Sequence, residues 1–101
     1  MIREPSRPFT VSEYQEMLSS IYTEANERYS DEDLFRRLVE EMSVVMEIVR
    51  KDRREELPEQ LARTYSWLNA LANRHRVDLQ EALWRKYPNV CSYCLRPKDC
   101  Y

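Results

Sequence analysis

The sequence predicts an all-α fold, built as a small bundle of four helices. Apolar residues recur at steps of three and four residues along most of the chain, which is the period of an amphipathic helix. Glycine is absent from all 101 residues, which excludes glycine-rich phosphate loops and disfavours tight hairpin turns. The composition, 43% hydrophobic and 34% charged, is too apolar for a disordered chain and too charged for a membrane protein.

The first predicted helix follows an N-terminal arm, residues 1–11, which carries two prolines and no apolar run typical of a signal peptide. Ser12 and Gln15 have the spacing of a capping box, so the helix is expected over 13–28. Its apolar stripe consists of Tyr14, Met17, Leu18, Ile21, Tyr22 and Ala25.

The second helix is expected over 31–51, with Ser30 as its N-cap and three acids in the first turn. Its apolar set is broad enough to face two neighbours. The members of that set are Leu34, Phe35, Leu38, Val39, Met42, Val45, Met46 and Val49.

The third and fourth helices are expected over 58–75 and 79–86. Pro58 suits a first helical turn, and Asp78 with Glu81 repeats the capping-box spacing. The third helix is expected to turn three apolar residues toward the second, namely Leu61, Tyr65 and Leu68.

These elements divide the chain into the arm 1–11, a helical domain 12–87 and a cysteine-rich tail 88–101. The apolar faces of the second and third helices exceed what one short chain can cover, so we expect an oligomer. The net charge of −2 shows no basic excess, and no apolar run is long enough to span a bilayer. We therefore expect a cytoplasmic protein with neither a membrane nor a nucleic-acid partner.

Three stretches of the chain resemble the MazG-like all-α nucleoside triphosphate pyrophosphohydrolases: LVEEMS, WLNALAN and DLQEALWRKYP. The similarity spans about residues 13–100. It implies hydrolysis of a nucleoside triphosphate to the monophosphate and pyrophosphate in a dimer or tetramer of such bundles. It also implies Mg²⁺ held by an EExxE motif on the second helix and an ExxD motif on the third.

The chain departs from that pattern in its acids. Glu40 and Glu41 match the first two acids of EExxE, but the third falls on Val44. The ExxD positions hold Gln60 and Arg63. We therefore predict impaired catalysis, because Mg²⁺ needs several carboxylate oxygens to hold it.

Other residues leave alternatives open. Arg63 either binds phosphate or clamps Glu40 or Glu41, or else forms a surface pair with Glu59 four residues earlier. Glu47 is either a substitute metal ligand or a solvated surface residue.

Several aromatic and amide side chains could either bind a nucleobase or pack in the core or an interface. Tyr65 and Asn69, one turn apart, are candidates to face a nucleobase between helices. Trp67 and Trp84 belong either to the core or an interface, or to a base-stacking site.

Two functions follow. The first is a catalytically impaired subunit that binds a nucleotide or acts structurally, as a homo-oligomer or together with an intact MazG-like paralogue. The alternative is an active Mg²⁺-dependent pyrophosphohydrolase with an unusual ligand set.

The tail adds a separate metal hypothesis. Cys91 and Cys94 form a CxxC motif, and Cys100 with His75 would complete a four-ligand zinc site. A disulfide and free thiols in a reducing cytoplasm remain open, as does a third function in which the tail is a zinc-bearing interaction module.

Overall fold

The computed structural model describes residues 7–99, and every regular element in that range is a helix. Helix α1 spans Val11–Glu27, α2 spans Asp31–Arg50, α3 spans Leu57–Arg74 and α4 spans Leu79–Lys86. A single 3-10 turn, Arg54–Glu56, leads into α3. The predicted all-α architecture with four helices is confirmed. None of the described helices is long and apolar enough to cross a membrane.

Helix α1 begins two residues before the predicted start. Thr10, not Ser12, is the N-cap, because its Oγ1 accepts the backbone N–H of Glu13 at 3.0 Å. The Ser12 hydroxyl instead donates to Asp78 Oδ1 at 2.9 Å, and so ties the first turn of α1 to the start of α4. The prediction for Ser12 was wrong because its side chain is used by a contact distant in sequence.

Helix α2 begins with the capping box expected at Ser30. The Ser30 hydroxyl accepts the N–H of Asp33, and the Asp33 carboxylate accepts the N–H of Ser30. These hydrogen bonds lower the pKa of Asp33. The local sequence therefore determines this helix start by itself.

Two helices end in a left-handed residue although the chain has no glycine. After α2, Asp52 has φ 52°, and the Arg53 N–H donates to Ile48 O at 3.0 Å. After α3, Arg76 has φ 56°, and the Val77 N–H donates to Ala72 O at 2.8 Å. Both ends have the hydrogen-bond pattern of a Schellman motif, which usually places glycine at this position.

The two long helices α2 and α3 form the centre of the bundle, and α2 carries two apolar stripes of which only one is covered. The covered stripe is buried at Leu34 and Ile48 and half-buried between them. The second stripe, displaced by one residue, is 45–61% exposed. Its members are Phe35, Val39, Met42, Met46 and Val49.

The packing of α3 differs from the prediction. Leu61 is 50% exposed and Leu68 is 43% exposed, so neither is enclosed between α3 and α2. Tyr65 is half-buried, and burial raises the pKa of its phenol. The buried residues of α3 are small or polar: Gln60, Asn69, Ala70 and Ala72.

A polar network not foreseen from the sequence joins α1, α3 and α4 through Gln15, which is 8% exposed. Its Nε2 donates to Asn73 Oδ1 at 3.0 Å and to Val77 O, while its Oε1 accepts the N–H of Leu79 at 2.9 Å. The only signal in the sequence is an amide within the apolar spacing of α1. These bonds fix α1 against the turn between α3 and α4.

Candidate functional site

The candidate site lies where α3 crosses α2, at Glu41. The Glu41 side chain is only 14% exposed. Gln60 Nε2 donates to its Oε2 at 2.8 Å and to its main-chain oxygen at 3.1 Å. Arg63 Nε lies 3.9 Å from the same Oε2. The Glu41 carboxylate thus accepts a hydrogen bond from one amide and lies near one guanidinium, both at positions where the MazG-like pattern has acids.

Arg63 makes both contacts that the sequence left open. Besides Glu41, its Nη2 lies 3.3 Å from Glu59 Oε1, at the i,i+4 spacing. The Arg63 side chain remains 55% exposed. Because a guanidinium carries five N–H donors, Arg63 retains donors that can reach a ligand.

The other acids of α2 do not converge on Glu41. Glu40 pairs with Arg37 at 3.4 Å, and Glu47 pairs with Lys51 at 2.6 Å. The hydrogen bond and charge of Lys51 lower the pKa of Glu47. No group of three or more His, Cys, Asp or Glu side chains suited to a metal ion occurs within residues 7–99.

An aromatic cavity of about 420 Å³ opens beside Glu41, between α1, α2 and α3. The Tyr29 and Trp67 rings meet edge to face, with centroids 5.6 Å apart, and the Arg37 guanidinium lies 5.1 Å from the Trp67 centroid. Its lining is Tyr22, Ala25, Asn26, Tyr29, Arg37, Glu41, Arg63, Ser66 and Trp67. Small-molecule sites typically measure about 300–1,000 Å³, so this cavity is of suitable size.

A second, charged cavity of about 300 Å³ shares Arg63 with the aromatic cavity. It contains three basic side chains, and its lining is Val44, Glu47, Ile48, Lys51, Arg53, Glu56, Glu59, Gln60 and Arg63. Arg63 therefore stands between an aromatic compartment and a charged one. A larger depression of about 670 Å³ beside α1 has no aromatic residue in its lining.

Two of the predicted nucleotide-contacting residues lie elsewhere. Asn69 is 1% exposed, and its Nδ2 lies 3.4 Å from Gln15 O on α1. Its Oδ1 is buried and has no hydrogen-bond partner among the described residues. Tyr65 borders neither the aromatic nor the charged cavity. Gln60 lines the charged cavity and Arg63 lines both cavities, whereas the aromatic surfaces come from Tyr22, Tyr29 and Trp67.

The predicted zinc ligands lie in two places. His75 Nε2 lies 3.1 Å from Asp31 Oδ1, where the end of α3 meets the start of α2. Cys91 and Cys94 lie near each other beyond α4, and no disulfide joins them. Cys100 lies outside the described residues.

No known protein family, no curated protein and no solved structure matches this chain. The function of the site therefore has to be inferred from its geometry.

Proposed function

We propose that this chain is a MazG-like subunit that binds a nucleotide without hydrolysing it. The contact of Gln60 and Arg63 with the Glu41 carboxylate carries the proposal. Mg²⁺ needs near-ideal coordination by oxygen atoms. Here Glu41 already accepts a hydrogen bond from Gln60 and lies near Arg63, while Glu40 and Glu47 have basic partners of their own.

The aromatic cavity supports the nucleotide part of the proposal. The rings of Tyr29 and Trp67 offer surfaces for a nucleobase, and stacking of this kind contributes about 1–3 kcal/mol per base. Arg37 and Arg63 at its edge supply planar donors for phosphate oxygens. A phosphate chain that passes Arg63 would enter the charged cavity, where Lys51 and Arg53 lie.

Nucleotide binding is tested by calorimetry with ATP, GTP, CTP, UTP and their deoxy counterparts, in the presence of a chelator. Arg63→Gln and Arg37→Gln should each weaken binding about tenfold, the typical effect of losing a charge-assisted hydrogen bond. Arg36→Gln is the matched control, because Arg36 pairs with Asp33 and lines neither cavity. Absence of binding at millimolar concentration of every nucleotide would overturn the proposal.

The catalytic alternative predicts a different result. Mg²⁺-dependent release of pyrophosphate by the unmodified chain, abolished in Glu41→Gln, would establish an active pyrophosphohydrolase instead. We expect none. Restoring the acids by Val44→Glu, Gln60→Glu and Arg63→Asp together should create Mg²⁺ binding.

We further propose that the subunit forms a twofold dimer through the exposed stripe of α2. Its five members, Phe35, Val39, Met42, Met46 and Val49, follow the alternating 4–3 spacing of a coiled-coil seam. The chain exposes 8775 Å². A compact monomer of 12.3 kDa exposes about 6,100 Å² by the usual scaling, so this chain exposes more surface than a compact monomer of its mass.

Charge along α2 favours an antiparallel pairing of the two copies. Residues 31–33 are all acidic, whereas the other end carries Arg50 together with Lys51, Arg53 and Arg54, which pair with Glu47, Glu56 and Asp52 of the same chain. An antiparallel partner brings each acidic end against a basic end, and a parallel partner brings like charges together. The middle of the stripe, Met42, would then lie at the twofold axis.

A further inference from the structure

The Arg37 side chain lies inside the aromatic cavity. Its guanidinium carbon is over the Trp67 ring, 5.1 Å from the ring centroid. Arg37 and Trp67 both line the cavity, so the covered ring surface belongs to the cavity wall. The Tyr29 ring stands nearly perpendicular to Trp67, with an interplanar angle of 87°. In the ligand-free chain, the ring best suited to stack on a nucleobase is therefore already in contact with a cation.

The contacts that hold Arg37 in this position are weak. Its Nη1 lies 3.4 Å from Glu40 Oε2, and both side chains are about half exposed. Exposed ion pairs of this kind contribute little. A cation over a partly exposed aromatic ring changes an equilibrium constant by about two- to fivefold. Arg63, by contrast, lies near two carboxylates, those of Glu41 and Glu59. Arg37 is therefore the more readily displaced of the two guanidinium groups that line the cavity.

A nucleobase and the Arg37 guanidinium compete for the Trp67 ring. Nucleobases stack on the faces of aromatic rings, and the same electron-rich faces attract cations. A nucleoside carries no charge that could bind the displaced guanidinium. The phosphates of a nucleotide accept charge-assisted hydrogen bonds from it. Since a ligand shifts a conformational equilibrium only by its different affinities for the two states, phosphate should favour the displaced state.

We propose that Arg37 is an exchangeable cover of the Trp67 ring, which makes the cavity select nucleotides over unphosphorylated nucleosides. In the free chain the guanidinium lies over the ring. In the bound chain the base takes the ring, and the guanidinium contacts phosphate. This inference rests on the proposed nucleotide site and adds the class of ligand that the site rejects.

The proposal predicts that removing the Arg37 guanidinium has opposite effects on two classes of ligand. The test titrates the unmodified chain and Arg37→Gln with adenosine, cytidine and uridine and with ATP, CTP and UTP, in the presence of a chelator. Arg37→Gln should strengthen nucleoside binding about two- to fivefold, because no cation has to leave the ring. It should weaken triphosphate binding about tenfold, because a charge-assisted hydrogen bond to phosphate is lost. The preference for triphosphate over nucleoside should thus fall by about 20- to 50-fold.

A second measurement needs no ligand. Trp84→Phe leaves Trp67 as the only tryptophan, and Trp84 is exposed on α4 and lines neither cavity. On this background, Arg37→Gln should increase the quenching of Trp67 fluorescence by acrylamide, because the ring loses its cover. Arg36→Gln is the matched control and should leave the quenching and both classes of affinity unchanged, since Arg36 pairs with Asp33. Circular dichroism checks that each variant folds.

Three results would overturn the cover while leaving the nucleotide site in place. The first is weaker binding of nucleosides as well as triphosphates by Arg37→Gln, since the base would then stack on the guanidinium itself. The second is triphosphate binding by Arg37→Gln without detectable binding of any nucleoside at millimolar concentration. The third is unchanged quenching of Trp67. If no nucleoside and no triphosphate bound to either protein, the proposed function would fail, and this inference with it.

Discussion

At the scale of single residues, the identity of position 60 decides what Glu41 can do. Gln60 donates to Glu41 from a site that is 8% exposed. An amide there satisfies the carboxylate, whereas a second carboxylate would oppose it unless a proton or a cation intervened. The choice of an amide or a carboxylate at position 60 thus decides whether Glu41 makes a hydrogen bond within the protein or could form part of a metal site.

We predict that Gln60→Glu lowers the free energy of unfolding at pH 7 by about 1–3 kcal/mol, because a hydrogen bond becomes a repulsive pair of buried carboxylates. The repulsion raises the folded-state pKa of the pair above the unfolded value. Stability should therefore be recovered at low pH and lost as the pH rises through that raised pKa.

Urea denaturation of the Gln60→Glu variant between pH 4 and 8 measures the effect. Gln80→Glu on α4 is the matched control and should lose little, because a carboxylate there can still accept the Ser12 N–H that Gln80 Oε1 accepts at 3.1 Å. A Gln60→Glu variant as stable as the unmodified chain at every pH would contradict the role assigned to the Glu41 contact.

At the scale of elements, helix ends in this chain are made without glycine. Asp52 and Arg76 both occupy the left-handed region, where a residue with a Cβ atom pays roughly 1–2 kcal/mol. The Schellman hydrogen bonds hold them there. Each helix end therefore stores a modest instability that a single substitution can remove.

We predict that Arg76→Gly raises the free energy of unfolding by about 0.5–1 kcal/mol. Glycine removes the steric cost of the left-handed conformation. Part of this stabilisation is lost, because glycine also raises the conformational entropy of the unfolded chain. The same exchange at an exposed position inside α2, Arg36→Gly, should lower the free energy of unfolding by about 1 kcal/mol. Chemical denaturation of both variants checks the opposite signs, and a loss in Arg76→Gly would refute the prediction.

The stability of the contact between α1 and α4 should depend on pH, because the Asp78 carboxylate in this contact titrates. The Ser12 hydroxyl and the backbone N–H groups of α4 lower the pKa of Asp78 in the folded chain. Its contribution to stability is therefore present above the unfolded pKa, near 3.9, and is lost as the pH falls through the lower folded value.

Asp78→Asn keeps an N-cap acceptor but cannot titrate. The loss of thermal midpoint between pH 7 and pH 3 should be smaller in Asp78→Asn than in the unmodified chain. Ser12→Ala should reduce that loss too, since it removes the main cause of the lowered pKa. Equal losses in all three proteins would rule out this linkage.

At the scale of the whole molecule, the fold encloses few apolar residues and leaves many large ones exposed. The buried apolar residues of the described chain are Leu34, Ile48, Ala70 and Ala72. The radius of gyration is 16.3 Å, against about 13 Å for a compact domain of about 100 residues. In the proposed dimer, a second copy would cover the exposed stripe of α2 and so stabilise the chain.

We predict that Met42→Glu converts the proposed dimer, two copies of 12.3 kDa, into monomers, because two glutamates would meet at the twofold axis. Light scattering after size exclusion measures the mass. Ile21→Glu is the matched control, since Ile21 is 60% exposed but lies on α1, outside the stripe. A monomeric unmodified chain at high micromolar concentration would contradict the dimer. A dimer formed only with a separate MazG-like protein would replace it by a hetero-oligomer.

The sequence by itself determined the helices. Their number, their type and, within two residues, their bounds follow from apolar periodicity, from Ser30 and Asp78 as caps and from Pro58 in a first turn. Through the resemblance, it also identified Val44, Gln60 and Arg63 as the positions where the MazG-like pattern has acids. These features are local in sequence, because a cap or a helical stripe is defined by residues three or four apart.

Only the tertiary structure decided which surfaces meet. Periodicity cannot distinguish the two stripes of α2, since both have the same 4–3 spacing; contact with α3 covers the one at Leu34 and Ile48. Nor can it show that Gln60 reaches Glu41, or that Trp67 rather than Tyr65 borders the aromatic cavity. Those outcomes depend on how α3 is rotated and placed against α2, and the contacts that fix this rotation join residues far apart in the chain.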